Sequence, residues 1–307
     1  MDLKQIRYFV GACEEGSFSA AAERLHCTAS GVSQQMSALE DRLKTRLFER
    51  TRRGVVPNAA GRMFYDRCLV ILRSVAEAEI ELDDFHSGQS GSVSAGFVPG
   101  LAKSVLPQVL ARFTREFPRV DINIGTGSAD SLLEQLAAGE LDFYVGQFAG
   151  SQIGLKVMPL GRFPVALISG RRLGMTPMRP LRLGQVAPLK LSLPSAVRSL
   201  RPQIESAIAA GEIAVERTLT IAELTAVLEF IAQTDWSTIL PFWVGLKEID
   251  NRLITVNPIV APSMSLDLAM VHTLRQPLSR PAQLFFERFH EELARSEDDW
   301  LRLTAQP

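Results

Sequence analysis

Residues 16–61 read GSFSAAAERLHCTASGVSQQMSALEDRLKTRLFERTRRGVVPNAAG, and this stretch decides the fold. Ser17 to Leu25 predicts a short helix packed on the small side chains of Ala20, Ala21 and Ala22. A tight turn at His26-Cys27 follows, and Thr28 opens a second helix. Val32, Met36, Leu39 and Leu43 are spaced by four, three and four, so they line one face of that helix. Its other face carries Thr28, Ser30, Ser33, Gln34, Gln35 and Ser37. Short hydroxyls and amides on the leading turn suit the reading of base edges in a major groove. Beyond the helix come Arg42, Lys44, Arg46, Arg50, Arg52 and Arg53 against the single acid Glu49. Arg52-Arg53-Gly54 is a hairpin-tip composition with Val55-Val56 as the returning strand, and guanidinium groups there can contact phosphates or enter a minor groove. The pattern is a helix-turn-helix beside a basic wing, the composition of a double-stranded DNA reader.

Charge is distributed accordingly. The 307 residues carry a net charge of −1, yet residues 1–62 hold ten Lys/Arg against seven Asp/Glu, which is +3 and leaves −4 for the remainder. Positive potential thus sits where DNA is expected. The three cysteines, Cys13, Cys27 and Cys68, have no CxxC spacing, and the histidines at 26, 86, 272 and 290 complete no zinc pattern. No cysteine follows residue 68, so a thiol-based sensor in the later part of the chain is excluded. Neither a metal nor any other cofactor is expected. The N-terminus, Met1-Asp2-Leu3-Lys4-Gln5, lacks the apolar run of a signal peptide and no run reaches transmembrane length, so a cytoplasmic location is expected.

Residues 60–87 predict one helix of about 28 residues, roughly 40 Å long. Phe64, Cys68, Ile71, Val75, Ala78, Leu82 and Phe85 alternate spacings of four and three, a coiled-coil seam that calls for the same helix of a second chain. The Gly/Ser-rich residues 86–92 read as a hinge. Strands and helices then alternate: strands at 93–98, 120–124 and 141–145 with helices at 105–116 and 131–138. A second set has strands at 163–168, 189–193, 215–220 and 238–240 with helices at 197–210 and 222–234. A strand at 265–271 and an amphipathic helix at 282–295 close the chain. This alternation is the habit of parallel α/β units.

The segment Phe9-Val10, Gly16-Ser17-Phe18, Ala20-Ala21-Ala22, Leu25, Val32-Ser33, Leu39-Glu40, Leu47-Phe48-Glu49-Arg50 and Gly61 resembles the winged helix-turn-helix of LysR-type transcriptional regulators, in one register over about sixty residues. Ala29-Ser30 stands where that family often has Gln-Pro, Thr45 where it often has Gly, and Asn58 where it often has Thr. The resemblance implies an α/β fold: an N-terminal winged helix-turn-helix (1–61), a linker dimerisation helix (62–87), a hinge (88–92) and a two-lobed, periplasmic-binding-protein-like effector domain (93–307). Lobe I would comprise about 93–161 and 266–295, and lobe II about 162–265, the last strand and helix returning to the first lobe.

DNA contacts are expected from Thr28, Ala29, Ser30, Ser33 and Gln34 on the second helix and from Arg50, Arg52 and Arg53 on the wing. Gln34 can pair bidentately with adenine, and the methyl groups of Thr28 and Ala29 can meet a thymine methyl. The resemblance places a small-molecule effector between the lobes at the strand ends Val98-Pro99-Gly100, Gly127-Ser128, Gly146-Gln147, Leu193-Pro194-Ser195 and Pro241-Phe242. Pro99, Gly100, Ser128, Gln147, Ser195 and Phe242 are the expected lining, with Gly100, Ser128 and Ser195 as polar anchors. It also implies promoter DNA, a homodimer or homotetramer, and RNA polymerase as partners, and no membrane.

An enzyme is not expected. Gly125-Thr126-Gly127-Ser128 imitates a dinucleotide loop, but Asp130 stands where the third glycine belongs and would repel a pyrophosphate. No Gly-x-Ser-x-Gly elbow or P-loop occurs. A ligand-independent architectural DNA binder, using its C-terminal domain only for assembly, is the alternative reading.

Overall fold

The computed structural model describes every residue except 52, 53, 88, 89, 148–152, 195–199, 306 and 307, and the side chains of 80–87. The chain forms two compact units, one of residues 1–88 with 150–156 and 272–280, the other of 89–149, 157–271 and 281–307.

The first unit opens with α1 (Leu3–Glu15), α2 (Phe18–Arg24) and α3 (Ala29–Leu43), then the hairpin β1 (Phe48–Thr51) and β2 (Gly54–Pro57), then α4 (Ala59–Ser87). Asp2 caps α1 through Gln5 N–H at 2.7 Å, and Gly16 ends it in the left-handed region with φ +63°. The core joins Ile6, Phe9, Val10 and Cys13 of α1 to Val32, Met36 and Leu39 of α3 and to Tyr65, Cys68 and Leu72 of α4.

That core corrects the expected seam. Phe64, Cys68 and Ile71 do share a face, but it turns inward on the chain's own helices. Cys68 is wholly buried, and the Phe64 ring lies 5.0 Å from that of Phe9. Periodicity states which residues share a face and not what covers it, and here α1 supplies the cover. Among the described α4 residues the large apolar side chains left exposed are those of Met63, 67% exposed, and Val70, 58% exposed. Val75 is half-buried and Ala78 exposed, while the side chains of Leu82 and Phe85 lie outside the described residues.

In the second part β3 (Gly91–Phe97), α5 (Pro99–Ser104), α6 (Leu106–Glu116), β4 (Val120–Thr126), α7 (Ala129–Ala138) and β5 (Phe143–Gly146) form the first half-sheet and its helices. Gly91 and Ser92, expected in the hinge, already belong to β3 and pair with Val120 and Asp121, because Gly/Ser composition alone does not distinguish a strand start from a linker. The long β6 (Leu155–Gly170) then runs without a break through residues 161–162, where a lobe boundary was expected. Next come β7 (Leu181–Arg182), β8 (Leu189–Pro194), α8 (Leu200–Ala209), β9 (Val215–Ile221), α9 (Leu224–Gln233), β10 (Ser237–Pro241), α10 (Phe242–Glu248) and β11 (Ile254–Ala261). β12 (Ser265–Thr273) and α11 (Arg280–Thr304) return to the first half.

The sheet order is β4-β3-β5-β12-β6-β10-β8-β9, with β11 against β6 and β7. β3 is parallel to β4 and β5, and β8 is parallel to β9 and β10, whereas β6 runs antiparallel to β10. Two parallel α/β lobes are thus joined through β6 and β12. Phe97 packs against Phe289 of α11 at 4.9 Å between ring centroids, which fixes the returning helix to the first lobe. Leu191, Leu200, Ile204 and Ile239 centre the second lobe's core.

Near the end of α3, Glu40 is only 9% exposed. Its carboxylate accepts from Leu47 N–H at 2.7 Å, Phe48 N–H at 3.3 Å and the Arg46 guanidinium at 2.8 Å. Burial alone would raise this carboxyl, but the Leu47 N–H, Arg46 and the Phe48 N–H more than offset it and hold it below the usual carboxylate range. The Glu40 carboxylate therefore ties α3 to the first strand of the hairpin. Glu40→Ala leaves two backbone donors unmet and should destabilise the first unit by roughly 2–4 kcal/mol in urea unfolding at pH 7. Because the folded value is depressed, the native contribution is full above the unfolded pKa of about 4.3 and is lost as pH falls through the folded value. The gap between wild type and Glu40→Ala should accordingly shrink on acidification; a gap independent of pH would contradict the assignment.

Candidate DNA-binding and ligand-binding sites

Local capping sets the recognition helix. Ser17 Oγ accepts from Ser19 N–H at 3.2 Å and starts α2, and His26, with φ +51°, makes the turn after Leu25. Thr28 Oγ1 accepts from Gly31 N–H at 3.2 Å and from Ser30 Oγ at 3.4 Å, so this hydroxyl serves as the cap of α3. Val32, Met36 and Leu39 are buried, while Thr28, Ala29, Ser30, Gln34 and Ser37 are exposed and Ser33 is half-buried. Gln35 faces α1 instead and accepts from Gln5 Nε2 at 3.1 Å. The five residues expected on the reading face come together at the start of α3; Thr28 is exposed, and its hydroxyl is taken up by the cap.

The wing is anchored from behind. Val55 N–H donates to Gly16 O at 2.8 Å, tying the hairpin to the α1–α2 turn. A Cβ at Gly54 would stand 2.2 Å from that same Gly16 oxygen, and its φ of +139° is a glycine conformation. Arg50 pairs with Val55 in the hairpin register and is exposed. Arg52 and Arg53 lie outside the described residues. Arg46, one of the six cations in the sequence run, is drawn to Glu40.

In the second unit a cleft of about 560 Å³, its open mouth included, lies where the strand ends of both lobes meet. Pro99, Gly100 and Gln147 line it as expected, joined by Val98, Pro194, Ile221, Leu224, Thr238, Leu240, Trp243 and Leu266 among others. Three expectations need correction or fall away. Ser128 does not line the cleft: it is exposed and its Oγ caps α7 by accepting from Ser131 N–H at 3.2 Å. Phe242 does not line it either; it is wholly buried among Phe163, Trp243 and Trp300 at 6.0, 5.3 and 5.8 Å between ring centroids. β10 passes straight into α10 at that point, so the next residue, Trp243, faces the cleft. Ser195 lies outside the described residues, as does Arg198.

Pro99 is the first residue of α5, a position suited to its fixed φ and missing N–H, so the expected loop is a helix start. A Cβ at Gly100 would lie 3.2 Å from Trp243 Nε1 and 3.3 Å from Val244 Cγ2, a close approach of α5 to α10. Lys103 of α5 also reaches Glu248 of α10, whose other carboxylate oxygen accepts from Asn251 Nδ2 at 2.9 Å. Residues of the two lobes thus meet across the cleft. Among the described residues no cluster of His, Cys, Asp and Glu could hold a metal ion, and Cys13 and Cys68 are buried. Burial pushes the Cys68 thiol up to about 12, which keeps it protonated and inert.

Residues 3–62 match the model of the bacterial regulatory helix-turn-helix proteins of the lysR family, and residues 86–294 match the LysR substrate binding domain. The nitrogen assimilation regulatory protein nac of Klebsiella aerogenes is 30% identical over 284 residues, 92% of each chain. The transcriptional regulator IlvR of Caulobacter vibrioides is 32% identical over 195 residues, 62% of each chain. Among solved structures, full-length CbnR complexed with its target DNA shares the fold with a TM-score of 0.53, 23% identity and coverage of 96% of this chain and 99% of that one. Full-length BenM does so with a TM-score of 0.56, 19% identity, 97% and 98% covered. The molecule is a DNA-binding transcriptional regulator with a ligand-binding domain. It belongs to the LysR family.

The two halves of the reader should separate experimentally. Gln34→Ala is expected to weaken a specific duplex by roughly 1–3 kcal/mol and a random one hardly at all. Arg50→Ala should weaken both alike and flatten the dependence of log K on log salt by about one phosphate contact. Fluorescence anisotropy across a salt series checks both; equal losses on specific and random DNA for Gln34→Ala would remove it from the base-reading set.

Proposed function

We propose that this chain is a cytoplasmic, homodimeric regulator that reads promoter DNA with Thr28, Ala29, Ser30, Ser33, Gln34, Arg50, Arg52 and Arg53, and whose grip on DNA is altered by a small molecule held between the lobes. It is not an enzyme. The observation that carries the reading is the exposed short polar face of α3, backed by buried Val32, Met36 and Leu39 and flanked by a wing tied to Gly16. A helix presented in this way fits a major groove while the wing rests on the backbone. The CbnR complex with target DNA supports the same use of the shared fold.

In this proposal residues 1–61 bind DNA, α4 joins two chains, and residues from 91 onward sense the ligand, dimers pairing into homotetramers on a two-armed promoter site near RNA polymerase. Among the described residues no helix is long and apolar enough to cross a membrane. A ligand touching both lobes biases their closure by its differential affinity for the closed and open forms. Pro99 and Gly100 on one side and Thr238 and Trp243 on the other line the cleft and support that reading.

Dimerisation is assigned to the face of α4 that its own core leaves open. Val70→Asp should leave the urea midpoint of the first unit nearly unchanged, since Val70 is exposed, yet shift the chain toward monomer in sedimentation. A Val70→Asp chain that stays fully dimeric would move the interface elsewhere.

Ligand control is tested by a mobility-shift titration on the promoter DNA bound by the chain, with and without fractionated low-molecular-weight metabolites. The proposal expects at least one fraction to change affinity or mobility. Indifference to every fraction would favour a ligand-independent architectural binder.

A further inference from the structure

We infer that the cleft takes an uncharged, flat and largely apolar molecule bearing one hydrogen-bond acceptor, seated on the indole N–H of Trp243, and that it discriminates against a carboxylate. The inference rests on the ligand-controlled reading above and names the chemistry of that ligand.

Two independent observations support it. First, no described residue of the cleft wall is ionisable; Val98, Ile221, Leu224, Leu240 and Leu266 make it apolar. A carboxylate entering there would shed water with no cation from these walls to replace it, the least favourable way to bury a charge. Second, Trp243 is 1% exposed, and its Nε1 has no hydrogen-bond partner although it lines the cleft. An indole N–H can only donate, and buried donors are ordinarily met. Gly100 packs close beside the indole, a Cβ there lying 3.2 Å from Nε1. A carbonyl oxygen carried by a ligand would meet this unpaired N–H.

The remaining polar groups favour a ligand that also donates. Thr238 Oγ1 donates to Ser192 O at 2.9 Å, so towards the cleft it offers lone pairs only. Gln147 adds an amide that can accept as well as donate. A carboxamide-like group, with one acceptor and an adjacent N–H, matches this set; a carboxylate of the same shape brings two acceptors, a charge and no donor.

Benzamide, benzoate and toluene have nearly the same shape and differ in this one respect, so they serve as probes of the full-length chain. Calorimetry should show benzamide binding at least about tenfold more tightly than benzoate. In ¹⁵N spectra of the indole groups of Trp236, Trp243 and Trp300, benzamide should move the Trp243 signal and toluene should not. Trp243→Phe should lower benzamide affinity to that of toluene.

Benzoate binding as tightly as benzamide, an unmoved Trp243 signal, or no binding by any probe overturns the inference. Benzoate winning while it also alters DNA mobility would leave ligand control intact and refute only the assigned chemistry. Ligand control itself falls only when DNA binding is unmoved by every metabolite fraction.

Discussion

A buried carboxylate must be met by donors, and Glu40 turns that requirement into architecture. By drawing in the N–H groups of Leu47 and Phe48 it fixes where the chain leaves α3 and enters the hairpin. From there β2 is bonded to the α1–α2 turn through Gly16, whose left-handed φ brings its carbonyl oxygen within reach of Val55 N–H. Recognition helix, wing and the preceding turn thus form one closed loop of hydrogen bonds around the core of Phe9, Met36 and Leu39. DNA recognition needs this rigidity, since contacts to bases and to phosphates must be made together at fixed separation. Glu14 plays a comparable part on the opposite side, accepting from Arg24 of α2, Tyr65 of α4 and Arg275 of the segment after β12.

The ligand domain works under the opposite constraint. Its lobes are joined by two strands, and among the described residues Gly100 approaches Trp243 and Val244, Lys103 reaches Glu248, and Phe242 packs on Trp300 of α11. The described walls are apolar, so a ligand held there as proposed would be driven in by area removed from water, with its orientation set by one or two polar atoms.

Most of the first unit was legible because its signals are local. The spacing of Val32, Met36 and Leu39 set the buried face of α3 and Thr28 marked its cap, while Leu43, at the helix end, is left exposed. What local signals omit is the partner of a face: the stripe through Phe64, Cys68 and Ile71 read as a seam between chains, and the structure covers it with α1. In the cleft, Pro99, Gly100 and Gln147 could be placed because parallel strands present their carboxyl ends together. Ser128 could not, since a serine before a helix reads equally as a cap and as a ligand contact. Phe242 was misplaced by one residue because no polar punctuation separates β10 from α10, and on a helix adjacent residues point in different directions. The orphaned N–H of Trp243 has no signature in sequence at all.

The central claim, that α3 and the wing read a defined DNA sequence as a pair, is tested most directly by selecting binding sites from a pool of random duplexes with the full-length chain. The account predicts enrichment of a two-fold related motif whose half-sites lie about one helical turn, or a multiple of it, apart. Recovery of unenriched duplexes bound with equal affinity would contradict it.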